Sequence, residues 1–580
     1  MHRNATQIGM VREVLGAQVT VAIDPRLAGV APIWEGRLQP VGQVGALVRI
    51  PQGIIELIAS VALVGIRAGD DEAGLGIAVG ERWMKVQLLG ELDAAGRFQR
   101  GVSSYPALED PVHFATASQL RAVFPLPDED HVRLGTVAAA PTVPVALNMR
   151  RFVTRHSAIV GSTGSGKSST VAGLLQKIAG GGWGRANVVI IDPHGEYASA
   201  LSADANVLSV LESGERLLRV PYWALPAREL LGALAGTTTK TAEQRFSDLV
   251  TQGRRVFAGE AAWLDLEESA ITADTPIPFD LRDVWFQMDF ENNATYQEVR
   301  GQGGPRISID GDAESLRKTV FESYSPGGAA PFKGPNYDDF GPTPDRIRRT
   351  LGDASMRFFQ EPRGNLTGSD PLVGVVEAWL GGEKPLSVLD FSGVNSLVAD
   401  LAIGVILELL FELTTRSTDS GIGRPRPVLI VLEEAHRYLG ESDSVGRARR
   451  AAERIAREGR KHGIGLALVT QRPTELPDTA LAQVGTLIAL RLTNGADQQR
   501  VKAAMPESTA GMADALASLR TGEALVTGEA VVLPTRVVID RPSPEPDAAD
   551  ATLEAWLGDR EKNDLSDTIS AWRAALAEGG

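Results

Sequence analysis

The stretch of sequence that decides the fold is a short apolar run followed by a glycine-rich loop: Ala158-Ile159-Val160-Gly161-Ser162-Thr163-Gly164-Ser165-Gly166-Lys167-Ser168. The apolar run predicts a buried strand, and the residues after the loop predict a helix from Ser168 to Ile178. The loop matches the pattern G-x-x-x-x-G-K-[ST] at every fixed position, between a strand and a helix as the pattern requires. Backbone amides in such a loop can surround a β-phosphate, and the helix N-terminus adds the positive end of its dipole. The sequence therefore predicts a site for the phosphates of a nucleotide.

The residues of this loop have distinct predicted roles in binding ATP and Mg²⁺. Lys167 is expected to neutralise the β- and γ-phosphates, and the Ser168 hydroxyl is expected to bind Mg²⁺. We assign the whole loop from Gly161 to Ser168, together with Ser169 and Asp192, to nucleotide binding. A chance match is the alternative, and the flanking strand and helix argue against it.

A second apolar strand ends in acidic residues. Val428-Leu429-Ile430-Val431-Leu432 runs directly into Glu433-Glu434-Ala435-His436. This is the Walker B arrangement, in which the first acid holds Mg²⁺ through water and the second polarises the attacking water. We therefore predict Glu433 as a metal-site residue and Glu434 as the general base, although Asp is commoner at the first position. The alternative is a helix start, whose acids favour the positive end of the helix dipole.

Polar residues also follow two other apolar strands, and the carboxyl ends of strands form the ligand edge of an open α/β sheet. Thr470-Gln471-Arg472-Pro473 follows one of them, so Gln471 is a candidate sensor of the γ-phosphate, with a helix-capping turn as the alternative. The other strand ends at Asp192 and continues as Pro193-His194-Gly195-Glu196-Tyr197. Asp192 or Glu196 could hold the water shell of the metal, while the Pro and Gly equally favour a plain turn.

Beyond these motifs, the chain changes its pattern several times. Residues 136–235 and 376–541 alternate apolar strands with helices, which predicts an α/β fold with a parallel sheet covered on both faces. Residues 1–135 show short alternating strands and regularly spaced glycines, which predicts a small β-barrel or sandwich, with a mixed α+β domain as the alternative. Residues 236–375 lose the α/β rhythm and predict an inserted, mostly helical subdomain. A proline-rich linker and a helix are expected in residues 542–580.

The composition restricts the class of protein. The chain has 580 residues, too many for one core, and a net charge of −15. The absence of cysteine excludes disulfides, thiolate zinc sites and cysteine nucleophiles. The acidic net charge argues against a protein whose whole surface is basic and binds nucleic acid. It is compatible with a local basic channel. We find neither a signal sequence nor the about 20 consecutive apolar residues of a membrane span, so we expect a soluble, cytoplasmic protein.

One predicted helix carries a basic stripe. Arginine and lysine recur there at three- and four-residue steps, at Arg447, Arg450, Arg454, Arg457 and Lys461. A solvated helix face is the ordinary interpretation. Two functional alternatives stay open: contact with a DNA backbone, or an arginine that reaches the γ-phosphate in a neighbouring subunit.

Taken together, these motifs resemble the HerA family of FtsK/HerA-type ATPases. The combination is specific, even though the glycine-rich loop alone is not. The Glu at position 433 and residues 292–344 depart from the family pattern. The similar segments lie within residues 130–540 and are Arg155 to Val160 before the loop, Asp192 to Tyr197, Pro221 to Trp223, Leu389 to Gly393, Glu433 to His436, Arg457 to Gly465, Thr470 to Pro473 and Gly522 to Ala524.

The resemblance implies a RecA-like P-loop NTPase core with an N-terminal HAS-type β-barrel, an inserted helical subdomain and a C-terminal segment that reaches a neighbouring subunit. It implies a homo-hexameric ring that moves double-stranded DNA through its central pore and hydrolyses ATP, with Mg²⁺, between subunits. By position, Glu434 activates water and Gln471 senses the γ-phosphate. Arg155, Arg457 and Arg460 match arginines that act on the nucleotide, at least one of them in trans.

The resemblance also implies an effector protein docked on the N-terminal barrel. In HerA-like proteins this partner is a NurA-like or other nuclease, or a sirtuin-like NADase, working in DNA end processing or anti-phage defence. The chain shows no nuclease signature of its own, so a partner would supply that chemistry. A different hypothesis is an ATP-gated scaffold that assembles and regulates the effector with little translocation, which the acidic net charge slightly favours. A conjugation-type pump shares the motor core but usually depends on membrane segments.

Overall fold

The computed structural model describes most of the chain: residues 6–27, 32–34, 37–38, 41–67, 80–212, 214–324, 327, 330–359, 368–394, 396–419, 421–440, 446–547 and 565–577. The chain divides into two compact units. The first is built from residues of 1–207, 383–388 and 411–548, and the second from residues of 208–382, 389–410 and 549–580. The first unit therefore contains the glycine-rich loop, the acidic strand end and Gln471.

The N-terminal part of the first unit is a closed barrel of antiparallel strands. Its strands, with a short separate pair β3–β4, are β1 Gln7–Leu15, β2 Gln18–Ile23, β3 Ile33–Trp34, β4 Arg37–Leu38, β5 Leu47–Gln52, β6 Ile55–Ile66, β7 Arg82–Leu92, β8 Phe98–Arg100 and β9 Pro111–Phe114. The sheet order is β2-β1-β9-β5-β6-β7-β8, and a pairing of β2 with β7 closes a ring of six strands. Met84, Val86 and Leu88 alternate along β7 and are buried in one cluster inside the barrel. The predicted barrel is confirmed.

The first half of the α/β core follows the barrel. Its elements are α1 Ala117–Val123, β10 His131–Val137, β11 Ala140–Asn148, α2 Met149–Thr154, β12 Ser157–Val160, α3 Lys167–Gly180, β13 Asn187–Asp192, α4 Tyr197–Leu201 and β14 Ala205–Ser209. Val171, Leu174 and Ile178 share one face of α3 and pack in the same buried cluster as Ile159 of β12. Burial of each such side chain contributes about 1.5–3 kcal/mol, so the start of α3 is firmly placed.

The second unit contains helices and short strand pairs. Its elements are α5 Ala227–Ala235, α6 Lys240–Glu260, α7 Leu281–Asn293, β15 Thr295–Tyr296, β16 Ile307–Ile309, β17 Val320–Phe321, β18 Phe332–Lys333, α8 Thr343–Leu351 and α9 Pro371–Trp379. β15 pairs with β18 and β16 pairs with β17, both antiparallel. These strands lie in the loop-rich segment 292–344, which departs from the family pattern.

The rest of the chain returns to the α/β sheet, apart from residues 389–410 and 549–580, which belong to the second unit. The remaining elements are β19 Leu386–Asp390, α10 Ser396–Thr415, β20 Val428–Leu432, α11 His436–Leu439, α12 Arg447–His462, β21 Ile464–Thr470, α13 Asp478–Ala482, β22 Thr486–Leu490, α14 Gly495–Ala504, β23 Glu523–Gly528, β24 Thr535–Ile539 and α15 Ser566–Ala577. Within the described part of the chain, no helix combines the length and apolar character that crossing a membrane requires.

The strand order explains how the sequence motifs meet. The large sheet has the order β11-β10-β24-β23-β22-β12-β21-β20-β13-β19-β14. β12 is parallel to both β21 and β22, and β20 is parallel to both β21 and β13. Because the carboxyl ends of parallel strands share one edge, the glycine-rich loop, the acids after β20 and Gln471 after β21 all lie along it. The predicted P-loop α/β core is confirmed, with β21 lying between the strand of the loop and the acidic strand.

Candidate active site

The glycine-rich loop between β12 and α3 has the backbone that its sequence predicts. Gly164 and Gly166 have φ angles of +72° and +95°, in the region that favours glycine. A Cβ atom on Gly166 would also lie 3.3 Å from the backbone nitrogen of Gly522. α3 begins at Lys167, directly after the loop, and the first amides of an α-helix have no carbonyl partner within the helix. The loop therefore presents backbone N–H donors suited to phosphate oxygens.

The Lys167 ammonium lies between two buried carboxylates. Its Nζ is 3.0 Å from Oε1 of Glu434 and 3.5 Å from Oε1 of Glu433. All three side chains are at most 9% exposed, so water screens their charges poorly. A buried carboxylate without a counter-ion is costly, and Lys167 therefore stabilises the two acids. The same ammonium is the group that the sequence predicts to bind phosphate.

Glu433 is the more deeply buried of the two acids. The Tyr197 hydroxyl donates a 2.6 Å hydrogen bond to its Oε2 atom. Burial raises the pKa of Glu433 to about 7, although the charge of Lys167 and the bond from Tyr197 act in the opposite direction. Glu433 is thus held by Tyr197 and Lys167 at the base of the site. Its water-mediated contact with Mg²⁺ stays a prediction.

Glu434 has the properties of an ionised base. Burial opposes its charge, but the close contact with His436 and the hydrogen bond and charge of Lys167 outweigh that effect and lower the pKa of Glu434 to about 2. His436 Nδ1 lies 3.1 Å from its Oε2 atom. The backbone of Glu434 has a φ of +49°, which is rare for a residue with a side chain and is often found at functional sites. Glu434 is therefore a carboxylate at neutral pH, as a base that accepts a proton from water must be.

Gln471 meets the glycine-rich loop across the sheet edge. The Thr163 hydroxyl donates a 2.7 Å hydrogen bond to Oε1 of Gln471. This contact is possible because β21 lies next to β12 in the sheet. At the end of β21, the Thr470 hydroxyl lies 3.1 Å from Nδ1 of His436, which connects the strand to the neighbour of Glu434. Gln471 therefore lies beside the glycine-rich loop, and its role as a sensor of the γ-phosphate stays a prediction.

Asp192 forms the turn that the sequence offered as an alternative. Its Oδ1 atom accepts backbone hydrogen bonds from His194 at 3.1 Å and Gly195 at 2.9 Å, and Oδ2 accepts one from Tyr197 at 3.0 Å. The side chain is fully buried. Asp192 therefore positions Tyr197, and through it Glu433, which gives it an indirect role at the site. Direct contact with the nucleotide or its metal stays a prediction.

The three candidate arginines lie away from the glycine-rich loop of their own chain. Arg155 precedes β12, at the strand end opposite the loop, and pairs with Glu529 at 3.1 Å. Arg457 and Arg460 are exposed in the C-terminal half of α12, which leads into the amino end of β21. Neither Arg457 nor Arg460 forms an ion pair with any residue in the described part of the chain. The structure thus does not bring these arginines to the site in the same subunit.

Two residues at the site received no role from the sequence. Tyr197 and His436 were both within quoted motifs, yet nothing in their spacing indicated a contact with an acid. Tyr197 reaches Glu433 because β13 and β20 are neighbours in the sheet, whereas His436 contacts Glu434 from two residues further along the same segment. The sequence signal that could have indicated these two contacts is that polar residues directly follow each buried strand.

Two models of known protein families match the α/β core. The model of the HerA helicase central domain matches residues 132–410, and that of the HerA-like helicase C-terminal region matches residues 355–540. The chain belongs to the HerA family. It is a P-loop ATPase, as the family and the site both indicate.

Individual relatives extend the similarity beyond the motor core. The DNA double-strand break repair helicase HerA of Sulfolobus acidocaldarius is 26% identical over 496 residues, covering 84% of each chain. That of Pyrococcus furiosus is 25% identical over 452 residues, covering 71% of this chain and 69% of the relative. Among solved structures, the plasmid coupling protein TrwB with a non-hydrolysable ATP analogue is 16% identical, with a TM-score of 0.43 over 74% of this chain and 92% of that one. VirB4 of Thermoanaerobacter pseudethanolicus is 14% identical, with a TM-score of 0.42 over 72% and 97%.

The site of this HerA-family protein fits a magnesium nucleotide. The loop amides and Lys167 suit a polyphosphate, and the Ser168 hydroxyl with the nearby carboxylates suits a hard cation. Among the residues that the structure describes, no cluster of three or more His, Asp or Glu side chains could hold a metal by itself. Mg²⁺ in such a site would be held jointly by protein, nucleotide and water, which is its usual mode of binding.

The contact between Tyr197 and Glu433 gives a testable stability difference. Tyr197→Phe is expected to lower the free energy of unfolding by about 1–3 kcal/mol, because it removes a donor and leaves the Glu433 carboxyl buried. The measurement is urea or thermal unfolding followed by circular dichroism. Tyr438→Phe is the matched control, since the Tyr438 hydroxyl is buried without a hydrogen-bond partner among the described residues. That change should be neutral or stabilising, and equal losses in both variants would contradict the assigned contact.

Proposed function

We propose that this HerA-family ATPase uses ATP hydrolysis to move double-stranded DNA through the central pore of a homo-hexameric ring. The observation that carries the proposal is the arrangement of Lys167, Glu434 and Gln471 around one phosphate-binding loop. A phosphate-binding cation, an ionised base and an amide beside the loop are the groups that nucleotide hydrolysis requires. The relatives named as DNA break repair helicases support the choice of DNA as the substrate.

The contacts of Lys167 and Gln471 support the following proposed order of events. Lys167 leaves Glu434 and binds phosphate oxygens, which frees the carboxylate. Glu434 then accepts a proton from the attacking water. Gln471 exchanges the Thr163 hydroxyl for the γ-phosphate, so that the end of β21 responds to hydrolysis. Ser168, and Glu433 through water, would hold Mg²⁺, which would supply charge neutralisation there.

The positions of the candidate arginines support ATP sites between subunits. In their own chain Arg155 and Arg460 lie toward the amino ends of the core strands, away from the loop. An arginine that stabilises charge on the γ-phosphate would then come from the neighbouring subunit. Head-to-tail contacts of this kind generate closed rings when the rotation between subunits closes. This is the assembly that the proposal requires.

An effector protein is the proposed partner of the barrel. The chain itself shows no nuclease signature, so a NurA-like or other nuclease, or a sirtuin-like NADase, would supply the second activity. The barrel exposes large apolar side chains, among them Ile54 at 82% and Leu108 at 65%. Exposed apolar side chains contribute to a protein interface where they lie together in one patch. DNA end processing or anti-phage defence is the proposed setting.

The first test is the rate of ATP hydrolysis with and without linear double-stranded DNA, alongside the mass by light scattering. We expect a mass of six chains and a several-fold stimulation by DNA. The stimulation should weaken as salt rises, because phosphate contacts release counter-ions. A hexamer indifferent to DNA, even with its effector added, would contradict translocation.

An ATP-gated scaffold is the second candidate function. The net charge of −15 favours it, because an acidic protein gains little from general attraction to DNA. In that case bound ATP would assemble the ring and regulate the effector without turnover. A hydrolysis-deficient variant that still supports full effector activity would favour the scaffold.

A further inference from the structure

The turn before β23 contacts the glycine-rich loop directly. The Thr521 hydroxyl donates a 3.2 Å hydrogen bond to the carbonyl of Gly164. The Gly522 amide donates a 3.0 Å hydrogen bond to the carbonyl of Ser165. Two consecutive carbonyls of the loop are thus bound by a segment more than 350 residues later in the sequence. These two hydrogen bonds hold the turn against the loop. The turn would therefore lie beside a nucleotide bound in the loop.

This turn is itself rigidly held. The Arg520 amide donates a 3.2 Å hydrogen bond to Oε2 of Glu523, a side chain that is only 6% exposed. The Arg536 guanidinium binds the same oxygen at 2.5 Å. The Gly522 carbonyl accepts a 2.8 Å hydrogen bond from the Ile539 amide in β24. Glu523 therefore fixes the position from which the Arg520 side chain projects.

The strand order places this turn on the side of the loop away from the catalytic groups. β12 has β21 and then β20 on one side, where Gln471 and Glu434 lie, and β22 and then β23 on the other. The γ-phosphate must lie near Glu434 and Gln471 for hydrolysis to occur. The rest of a bound nucleotide therefore extends from the loop toward β22 and β23. The nucleoside end would meet the turn that contains Arg520.

We propose that Arg520 binds the nucleoside part of ATP, with its guanidinium packed on the base and ribose. This inference rests on the proposed nucleotide site and adds a residue to it. The Arg520 side chain is 85% exposed, and its nearest acid, Glu523, lies at the 4.0 Å limit of an ion pair. A guanidinium is planar and weakly hydrated, so it stacks well on an aromatic base. Arg520 thereby contributes affinity that depends on the nucleoside.

The test compares ligands with and without a nucleoside. Affinities of Arg520→Ala for ATP, ADP and inorganic tripolyphosphate, each with Mg²⁺, are measured by titration calorimetry. We expect affinity for ATP and ADP to fall about five- to tenfold, and affinity for tripolyphosphate to change less than about twofold. Arg520→Lys should lose most of the same affinity, because it keeps the charge but not the planar group.

The controls separate this inference from the nucleotide site itself. Arg97→Ala is the matched control, since Arg97 is 77% exposed and pairs with Asp93 on the barrel. It should leave all three affinities unchanged. Unchanged ATP binding in Arg520→Ala, or equal weakening of ATP and tripolyphosphate, would overturn the nucleoside contact. If the wild-type protein binds neither ligand, or if Lys167→Ala leaves tripolyphosphate binding intact, the proposed nucleotide site fails instead.

Discussion

Lys167→Ala should reduce the rate of ATP hydrolysis about 1000-fold or more, with most of the loss in nucleotide affinity. Lys167 is the cation at the start of α3 in the loop that is proposed to hold the phosphates. Without it, the developing charge on the transferred phosphoryl group loses its nearest protein cation, in a site where Glu433 and Glu434 would repel phosphate. Steady-state hydrolysis and calorimetric ATP binding measure the two parts of the effect.

The same change is expected to destabilise the nucleotide-free protein by about 3–5 kcal/mol, because it leaves two buried acids without their shared cation. In the variant the pKa values of Glu433 and Glu434 should rise in the folded state, since both lose a positive neighbour. An acid with a raised folded pKa costs stability when the unfolded chain is ionised, and this cost disappears as pH falls. The gap in unfolding midpoint between wild type and variant should therefore shrink from about pH 8 to about pH 5.

Lys177→Ala is the matched control for both effects. Lys177 lies on the same helix, is 30% exposed and binds Asp540 at 2.6 Å. Loss of such a surface pair costs about 0–1 kcal/mol and should leave hydrolysis unchanged. Wild-type turnover in Lys167→Ala would show that the phosphates bind elsewhere, and equal turnover losses in both lysine variants would point to damage to α3.

The parts of the site that the sequence predicted are those whose conformation is determined by residues close to them in the sequence. The loop from Gly161 to Ser168 and the acid Glu434 follow short apolar strands, and the local pattern determines both the strand and the loop. Gln471 was located for the same reason, because the carboxyl ends of parallel strands share one edge. The bond from Thr163 to Gln471 confirms that the two motifs meet.

The parts that the sequence did not predict depend on strand order. Tyr197 and Glu433 are 236 positions apart and meet only because β13 pairs with β20. The contacts of Thr521 and Gly522 with the loop likewise depend on the placement of β22 and β23. Apolar strands of similar length carry no signal that fixes their order. The sequence did not decide whether Asp192 holds the water shell of a metal or forms a turn, because both roles use the same carboxylate at the same strand end.

Glu434→Gln is expected to lower the hydrolysis rate by about 100- to 10 000-fold while ATP binding is kept or strengthened. The amide has nearly the same shape but cannot accept a proton from water. It also loses the charge that holds Lys167 at 3.0 Å, so the ammonium becomes freer to bind phosphate. Single-turnover hydrolysis and calorimetric ATP binding separate the two effects.

Glu453→Gln provides the comparison, because it removes a carboxylate that pairs with Arg449 on the surface of α12 at 3.0 Å. Its hydrolysis rate should equal that of the wild-type protein. Near wild-type turnover in Glu434→Gln would place the general base elsewhere. The variant also distinguishes the two candidate functions, because it holds ATP without consuming it. A translocase in that state stops on DNA and loses its effector-dependent activity, whereas an ATP-gated scaffold keeps the ring assembled and the effector active.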